Sequence, residues 1–334
     1  MTLFLRLMVF LALPFLVVSC FKEDVKVLPH QPGNTEIDTI ALTSLYKNQV
    51  YYDLGTKSAV QTNLRKQWDI SFECMSGGRH IRLNTSCFMV AADLGVKDIN
   101  LPADTTGSKW RFDTSNGNPD STAFGTWYSV TGSDTVSIGH TYAINRGLDE
   151  QGNPRGMRQF VVDSLVNNIF YFRVAGFDGS NVRSYSLAKN PTVNHVLFTF
   201  DSGANLVTEP ADNTWDLLFT QYTTLLFTSA GLPYPYLVTG VLINPSLVEV
   251  AQDSTRAFAD ISFANVSGLA FSNRQDIIGY DWKFYSFDTG SYTVLMNRNY
   301  IIRDTLGFYY KFRFLGFYDV KGEKGYPSIE YQKL

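Results

Sequence analysis

"FRVAGF" spans residues 172–177 and "FRFLGF" spans residues 312–317, nearly one hexapeptide written twice, 140 positions apart. Aromatic and apolar residues bracket Arg173 and Arg313, the alternation of a strand that buries one face and turns each Arg to the other. The surroundings match as well. "DSL" from Asp163 and "DTL" from Asp304 stand near the two hexapeptides. Further upstream, "WDISF" from Trp68 answers "WDLLF" from Trp215, and "YYDLGTKSAV" from Tyr51 answers "FTFDSGANLV" from Phe198. Landmarks that recur in one order point to a duplicated unit.

At 334 residues the chain is long enough for two domains of ordinary size, each with its own core. It carries 25 Phe and 19 Tyr, and with abundant Val and Thr this composition favours strands over helices. A formal charge of −3 supplies no basic field, which excludes nucleic acid as a partner. The sequence holds no GxSxG, HExxH, P-loop or CxxC arrangement, so no enzyme is expected. Asp69 and Asp216 follow the two Trp residues, one per unit. They read as hydrogen-bonding groups at strand starts, because a glycosidase pair would have to face one substrate. "DEQGNPRG" (149–156) offers oxygen ligands but not the spacing of a calcium loop.

The N-terminus has Arg6, an apolar run to Val18 and then Ser19-Cys20. The run is shorter than the roughly 20 residues of a membrane span and has the shape of a secretory signal, here residues 1–19. Residues 20–40, with "VLPHQPGNTEIDT", read as a tether without lasting period. Cys74 and Cys87 belong to an exported compartment in which disulfides persist. A hairpin around Gly77-Gly78 sets them out of register, so a disulfide and two free thiols both stay open.

The expected fold is mainly β, with two tandem antiparallel-sheet domains at 41–190 and 191–334. "TWDLLFTQY", "TTLLFTS" and "YLVTGVLI" read as neighbouring strands, and Thr305-Leu306-Gly307 and "VKGEKGY" as hairpin turns. "NPSLVEVAQDSTRAFADI" is the best helix candidate. "AINRGLDEQGNPRGMRQFVV" (143–162) reads as a lengthened hairpin loop in the first unit only. Trp68 and Trp215 are expected to anchor the two cores.

"LVVSC" (16–20) resembles the lipobox of bacterial lipoproteins, which implies that Cys20 is acylated and becomes the mature N-terminus. "FKED" after it resembles the surface-export signal of Bacteroidetes lipoproteins. "YIIRDTLGFYYKFRFLGFYDVKGEKGYPSIEYQ" (300–332) resembles the tail of the HmuY family, haem-binding lipoproteins of Bacteroidetes, and "FYFRVAGFDGSNVRSYSL" (170–187) is similar to a shortened tail. The resemblance implies two HmuY-like β domains, the first divergent, in a surface or periplasmic lipoprotein. Such a protein binds haem or a related porphyrin for uptake, without catalysis. It would be lipid-anchored at the outer membrane and would hand its ligand to a TonB-dependent outer-membrane transporter. The alternative is a surface interaction or adhesion module that kept the fold and lost haem ligation.

Haem iron takes axial His or Met. Met296 and His140 lie just before the matching residues Tyr300 and Tyr142 and are the haem-binding candidates, with His80 as a third. Met75 and Met89 are further donors in the first unit, His195 stands near the start of the second, and His30 falls in the tether. Met296 also reads as core filler, His140 after Gly139 as an ordinary loop residue, and His80 in "GGRHIR" as part of a turn leading into a solvated strand. Tyr234 and Tyr236 in "GLPYPY" suit a flat ligand or simple packing.

Overall fold

The computed structural model describes residues 32–131, 134–203 and 208–334. The leader, Cys20 and His30 lie outside the described residues. The chain opens with β1 (Thr35–Thr39), β2 (Asn48–Asp53) and β3 (Ser58–Leu64). Then come β4 (Ile70–Glu73), β5 (Ile81–Leu83), β6 (Val90–Val96) and the short β7 (Trp110–Arg111). After β8 (Tyr128–Thr131) and β9 (Asp134–Ser137) follow β10 (His140–Asn145), β11 (Met157–Val166), β12 (Ile169–Gly176) and β13 (Arg183–Ala188). The later half holds β14 (His195–Phe198), β15 (Leu217–Phe227), β16 (Pro233–Ile243) and β17 (Glu249–Asp253). It ends with β18 (Lys283–Ser286), β19 (Ser291–Val294), β20 (Asn299–Arg303), β21 (Tyr309–Tyr318) and β22 (Lys324–Lys333). The fold is mainly β, with antiparallel sheets, as the composition predicts. No helix among the described residues is long and apolar enough to cross a membrane.

Two sheets repeat one plan. In the first, β13-β12-β11-β10-β6 lie side by side; in the second, β1-β22-β21-β20-β17 do so. Tyr142 pairs with Phe160 in one and Tyr300 with Phe312 in the other, and all four side chains are buried. This register makes β21 the counterpart of β11. "FRFLGF" lies on β21 but "FRVAGF" on β12, so the twin hexapeptides occupy non-equivalent strands. Alternating Phe and Arg suits any strand with one wet face, which is why the two look alike. On both strands the Arg lies on the face away from the Phe side chains, Arg173 half-exposed against Asp163 and Arg313 largely covered between Glu330 and the Phe258 ring.

The halves exchange their first strands. β14 pairs with β4, so Phe198 and Phe200 join the aromatic core of the earlier half with Phe72, Phe160, Phe170 and Phe172. β2 pairs with β15, and Ile40, Leu42, Val50, Tyr52 and Leu54 fill the later core beside Phe219, Trp282, Tyr300 and Phe314. The division at 190/191 therefore separates strands that pair across it. Thr35–Thr39, read as tether, is instead an edge strand along β22.

Each exchanged strand is held by the Asp after the repeated Trp. Asp69 accepts the backbone N–H of Phe200 at 2.8 Å, and Asp216 accepts that of Leu54 at 2.8 Å. In return the N–H of Asp69 donates to Phe198 O and that of Asp216 to Tyr52 O. This sets Tyr52 opposite Phe198, one residue off the alignment read from the sequence. The strand-start role expected for both Asp residues is what the structure displays.

Their electrostatic settings differ. The 146–156 loop brings Arg146 onto both Asp69 oxygens, at 2.9 and 3.0 Å, with Arg155 at 2.9 Å. The short turn after Arg303 brings no cation to Asp216, only the N–H of Thr305 at 3.0 Å. Burial pushes the Asp216 carboxyl up to about 7, and the nearby Asp53 and Asp304 add to the shift.

Other expectations need correction. "NPSLVEVAQDSTRAFADI" forms no α-helix: Glu249–Asp253 is β17, with Val250 and Ala251 buried in its sheet, and Phe258–Asp260 is one short 3-10 turn. "TWDLLFTQY" and "TTLLFTS" are one continuous strand, β15, because no turn residue interrupts them. Trp68 and Trp215 lie outside the two main apolar clusters, although Trp215 is buried against Tyr51; Trp127 and Trp282 anchor those clusters, Trp282 stacked on Phe314 at 3.7 Å. Cys74 and Cys87 are free and buried.

Residues 192–334 alone lack the five side chains of 40–54 that fill their core, each contributing about 1.5–3 kcal/mol when buried. They are expected to show no cooperative thermal melt by circular dichroism, whereas residues 20–334 melt cooperatively. A sharp melt of the fragment overturns the exchanged-strand account. The raised Asp216 pKa also has a sign. Between about pH 4 and 7 the native state keeps a proton that the unfolded state releases. The stabilisation is thus complete below about pH 4 and lost as pH rises towards 7. Urea melts across that range should show stability falling more steeply with pH in wild type than in Asp216→Asn, by up to about 1.4 kcal/mol per pH unit; parallel curves contradict it.

Candidate functional site

The exchange creates a cleft where the two halves meet. β4 and β15 start side by side with the strands they receive, and their leading residues Trp68 and Trp215 line a cavity of about 110 Å³. Tyr51 closes it, its ring 4.9 Å from that of Trp215 and edge-on. A second cavity of about 380 Å³ shares Arg82, His195, Pro245 and Gln275 with the first and adds Glu73, Met75 and Arg274. The first has room for little more than ordered water; the second reaches the lower end of ligand-sized pockets.

A repeated asparagine shapes both walls. Asn84 donates to Trp68 O at 2.8 Å and Asn244 to Trp215 O at 2.9 Å. Their Oδ1 atoms accept the N–H of Ser86 and Ser246, both at 3.1 Å. The signal is present in the sequence as "LNTSCFMVAAD" (83–93) and "INPSLVEVAQD" (243–253), a better repeat than the hexapeptides and one the sequence reading passed over.

At equivalent places on the exchanged strands the two copies diverge, with Gln49 in one and His195 in the other. Gln49 Oε1 accepts from Trp68 Nε1 at 2.9 Å and from Asn63 at 3.0 Å. His195 instead turns Nδ1 towards Glu209 Oε2 at 3.4 Å, and its backbone N–H donates to the same oxygen at 2.8 Å. One strand over, His195 pairs with Glu73, and the His80 ring meets Glu73 through Nδ1 at 2.6 Å. Burial pushes the Glu73 carboxyl up, but the bonds from the His80 ring and backbone outweigh it and hold the group at about 2. Asp113, on the first cavity's wall, is pushed up to about 6 by burial, against the pull of Arg82.

His140 repeats the pattern, with Nδ1 on Asp93 at 2.9 Å. So His80 and His140 are each held at Nδ1 by a carboxylate, while His195 Nδ1 lies 3.4 Å from Glu209 Oε2 without a hydrogen bond, and none of the three bonds through Nε2. That arrangement fixes the ring and leaves Nε2 as a metal donor. No group of three or more His, Cys, Asp or Glu among the described residues is placed to hold a bare metal ion.

The candidates read from the sequence lie apart. His140 borders a separate polar depression that also includes Lys97, Lys109 and Arg111. Met296 sits between β19 and β20, 49% exposed. His80 contacts the cleft through Glu73. The methionine that fills a core is Met89, fully buried in the earlier half, and not the exposed Met296 that the sequence reads as filler. Met75 lines the larger cavity, with Ser246 Oγ 3.0 Å from its sulfur. Tyr234 and Tyr236 stand exposed on β16. Sequence spacing singled out Met296 and His140; the structure gives the cleft to His195 and Met75.

Among solved structures, the chain is similar to apo PinO from Porphyromonas gingivitis at 10% identity, covering 90% of this chain and 97% of that one, with a TM-score of 0.29. It is similar to the apo HmuY analogue of Tannerella forsythia at 14% identity, covering 53% and 94%, with a TM-score of 0.17. A protein designated HmuY-like and heme-binding, from Bacteroides vulgatus, matches at 16% identity over 52% and 90%, with a TM-score of 0.18. No curated protein matches the sequence. The profile of the HmuY protein family matches residues 45–331, both halves and the cleft between them, and the chain belongs to that family.

Proposed function

We propose that the protein binds haem or a related porphyrin in the cleft and passes it on without catalysis. One observation carries this reading. His195, anchored through its backbone N–H to Glu209 and making no hydrogen bond through Nε2, shares the wall of the 380 Å³ cavity with the thioether of Met75. Imidazole and thioether are axial donors of haem iron. Arg82 and Arg274 on the same wall suit the carboxylates of a porphyrin. Family membership supports a haem-binding role, and the HmuY-like relative from Bacteroides vulgatus carries the same assignment. His140, His80 and Met296, the donors picked from the sequence, are the competing sites.

The same proposal places the protein on the outer membrane, acylated at Cys20 and facing the cell surface. There it would serve uptake by delivering the porphyrin to a TonB-dependent transporter. The second reading, an interaction module that kept the fold without haem ligation, draws on the separation of His140 from Met296.

Haemin titrated into wild type should give a Soret shift, since imidazole and thioether are axial donors of haem iron. His195→Ala should lose the shift and Met75→Ala should alter its position, while His140→Ala, His80→Ala and Met296→Ala bind as wild type. If His195→Ala binds like wild type, the cleft is not the site. If the wild type fails to bind, the interaction module is the better account. Mass spectrometry of the native protein should find residues 1–19 removed and Cys20 acylated; an unmodified Cys20 removes the anchor.

A further inference from the structure

From residue 217 to residue 248 the chain carries no charged side chain. Those residues build β15 and β16, which pair along their full length from Leu217–Ile243 to Phe227–Pro233. The base of the hairpin is buried, but every residue from 227 to 236 is exposed. Phe227 is 64% exposed, Leu232 65% and Tyr236 52%. Single exposed apolar residues are ordinary; a charge-free cluster of them is not.

A second hairpin, β18 and β19, stands beside it. Lys283 Nζ donates to Thr239 O of β16 at 2.6 Å and lies 4.1 Å from the centre of the Trp282 ring, so this cation is turned inward. That hydrogen bond from β18 to β16 places the two hairpins side by side. The second hairpin adds Phe284, 50% exposed, and Phe287, 92% exposed.

We infer that the charge-free tip at residues 227–236, with Phe284 and Phe287 beside it, rests in the interfacial layer of a lipid membrane. At residues 227–236, Tyr and Phe beside Leu, without Asp, Glu, Lys or Arg, is the composition that favours the boundary between headgroups and acyl chains; the exposed Asp288 after Phe287 keeps the second hairpin at headgroup level. The depth is limited. β16 is the outer strand of its sheet, and its unpaired N–H and C=O groups cannot enter hydrocarbon. The occupant follows from the lipid-anchor reading of Cys20, on which this inference rests. Fifteen residues from Cys20 to Thr35 span at most about 54 Å, so an anchored body stays within reach of the bilayer. One lipid signal holds a protein marginally and a second contact makes it stable.

The test uses the chain from residue 20 with Cys20→Ser, which keeps every described residue and carries no lipid, so it does not depend on acylation. The probe is vesicles of phosphatidylethanolamine and phosphatidylglycerol in a flotation assay. The wild-type sequence should float to the same extent at low and high salt, because the tip has no charge to screen. The triple variant Phe227→Ser, Leu232→Ser, Tyr236→Ser should float about tenfold less and should keep its melt and its haemin response. Absence of flotation, equal flotation of the variant, or flotation abolished by salt each overturns the inference. So does a concentration-dependent dimer that the variant abolishes, since a second copy would then cover the tip. Loss of haemin binding in the variant overturns it too, by making the tip part of the porphyrin site.

Discussion

A carboxylate accepting the backbone N–H of a strand from the other half organises this molecule. Asp69 does this for Phe200 and Asp216 for Leu54. A buried carboxylate must be satisfied, and a strand entering a foreign sheet must find partners for its own amide groups. Each Asp meets both demands at one point. With the strands so placed, the aromatic cores of both halves are completed by residues distant in sequence. The cleft walled by the two Trp residues then follows from the geometry of the exchange.

The two copies meet the carboxylate demand differently, and loop length decides how. The longer 146–156 connection has room to fold Arg146 and Arg155 onto Asp69, so that charge is compensated inside the protein. Removing one partner of such a buried pair would leave the other uncompensated, which explains why the loop is held so fully. The turn after Arg303 is too short to supply an Arg, and Asp216 keeps a proton more readily instead. The same divergence recurs at the cleft. Gln49 closes one side by satisfying Trp68, while His195 at the matching place turns to Glu209 and leaves Nε2 open. The two sheets share one plan, and the cleft lies where the halves differ.

Much was legible in the sequence. The fold class came from aromatic and β-branched residues in alternation, and the Trp-Asp landmarks marked equivalent strand starts. The hairpin turns at Thr305-Leu306-Gly307 and in "VKGEKGY" were readable from local chemistry, since Gly307 and Gly322 take positive φ. The hexapeptide pair misled because alternation reports which face is buried and not which strand is which. "LNTSCFMVAAD" and "INPSLVEVAQD" carried the better alignment through an Asn that binds three backbone groups, a role that local pattern does not reveal.

What the sequence by itself determined, then, was the period, the punctuation and the family: strands with one wet face, turns at Gly, and a tail of HmuY type. These are local properties, set by residues within a few positions of one another. Only the tertiary structure decided which strands pair, because β2 with β15 and β14 with β4 are contacts between segments far apart in the chain. It alone placed His195 and Met75 on one wall and left His140 and Met296 elsewhere. Proximity across a strand exchange is fixed by shared burial and by the Asp residues that receive the exchanged backbone, neither of which has a signature in spacing along the chain.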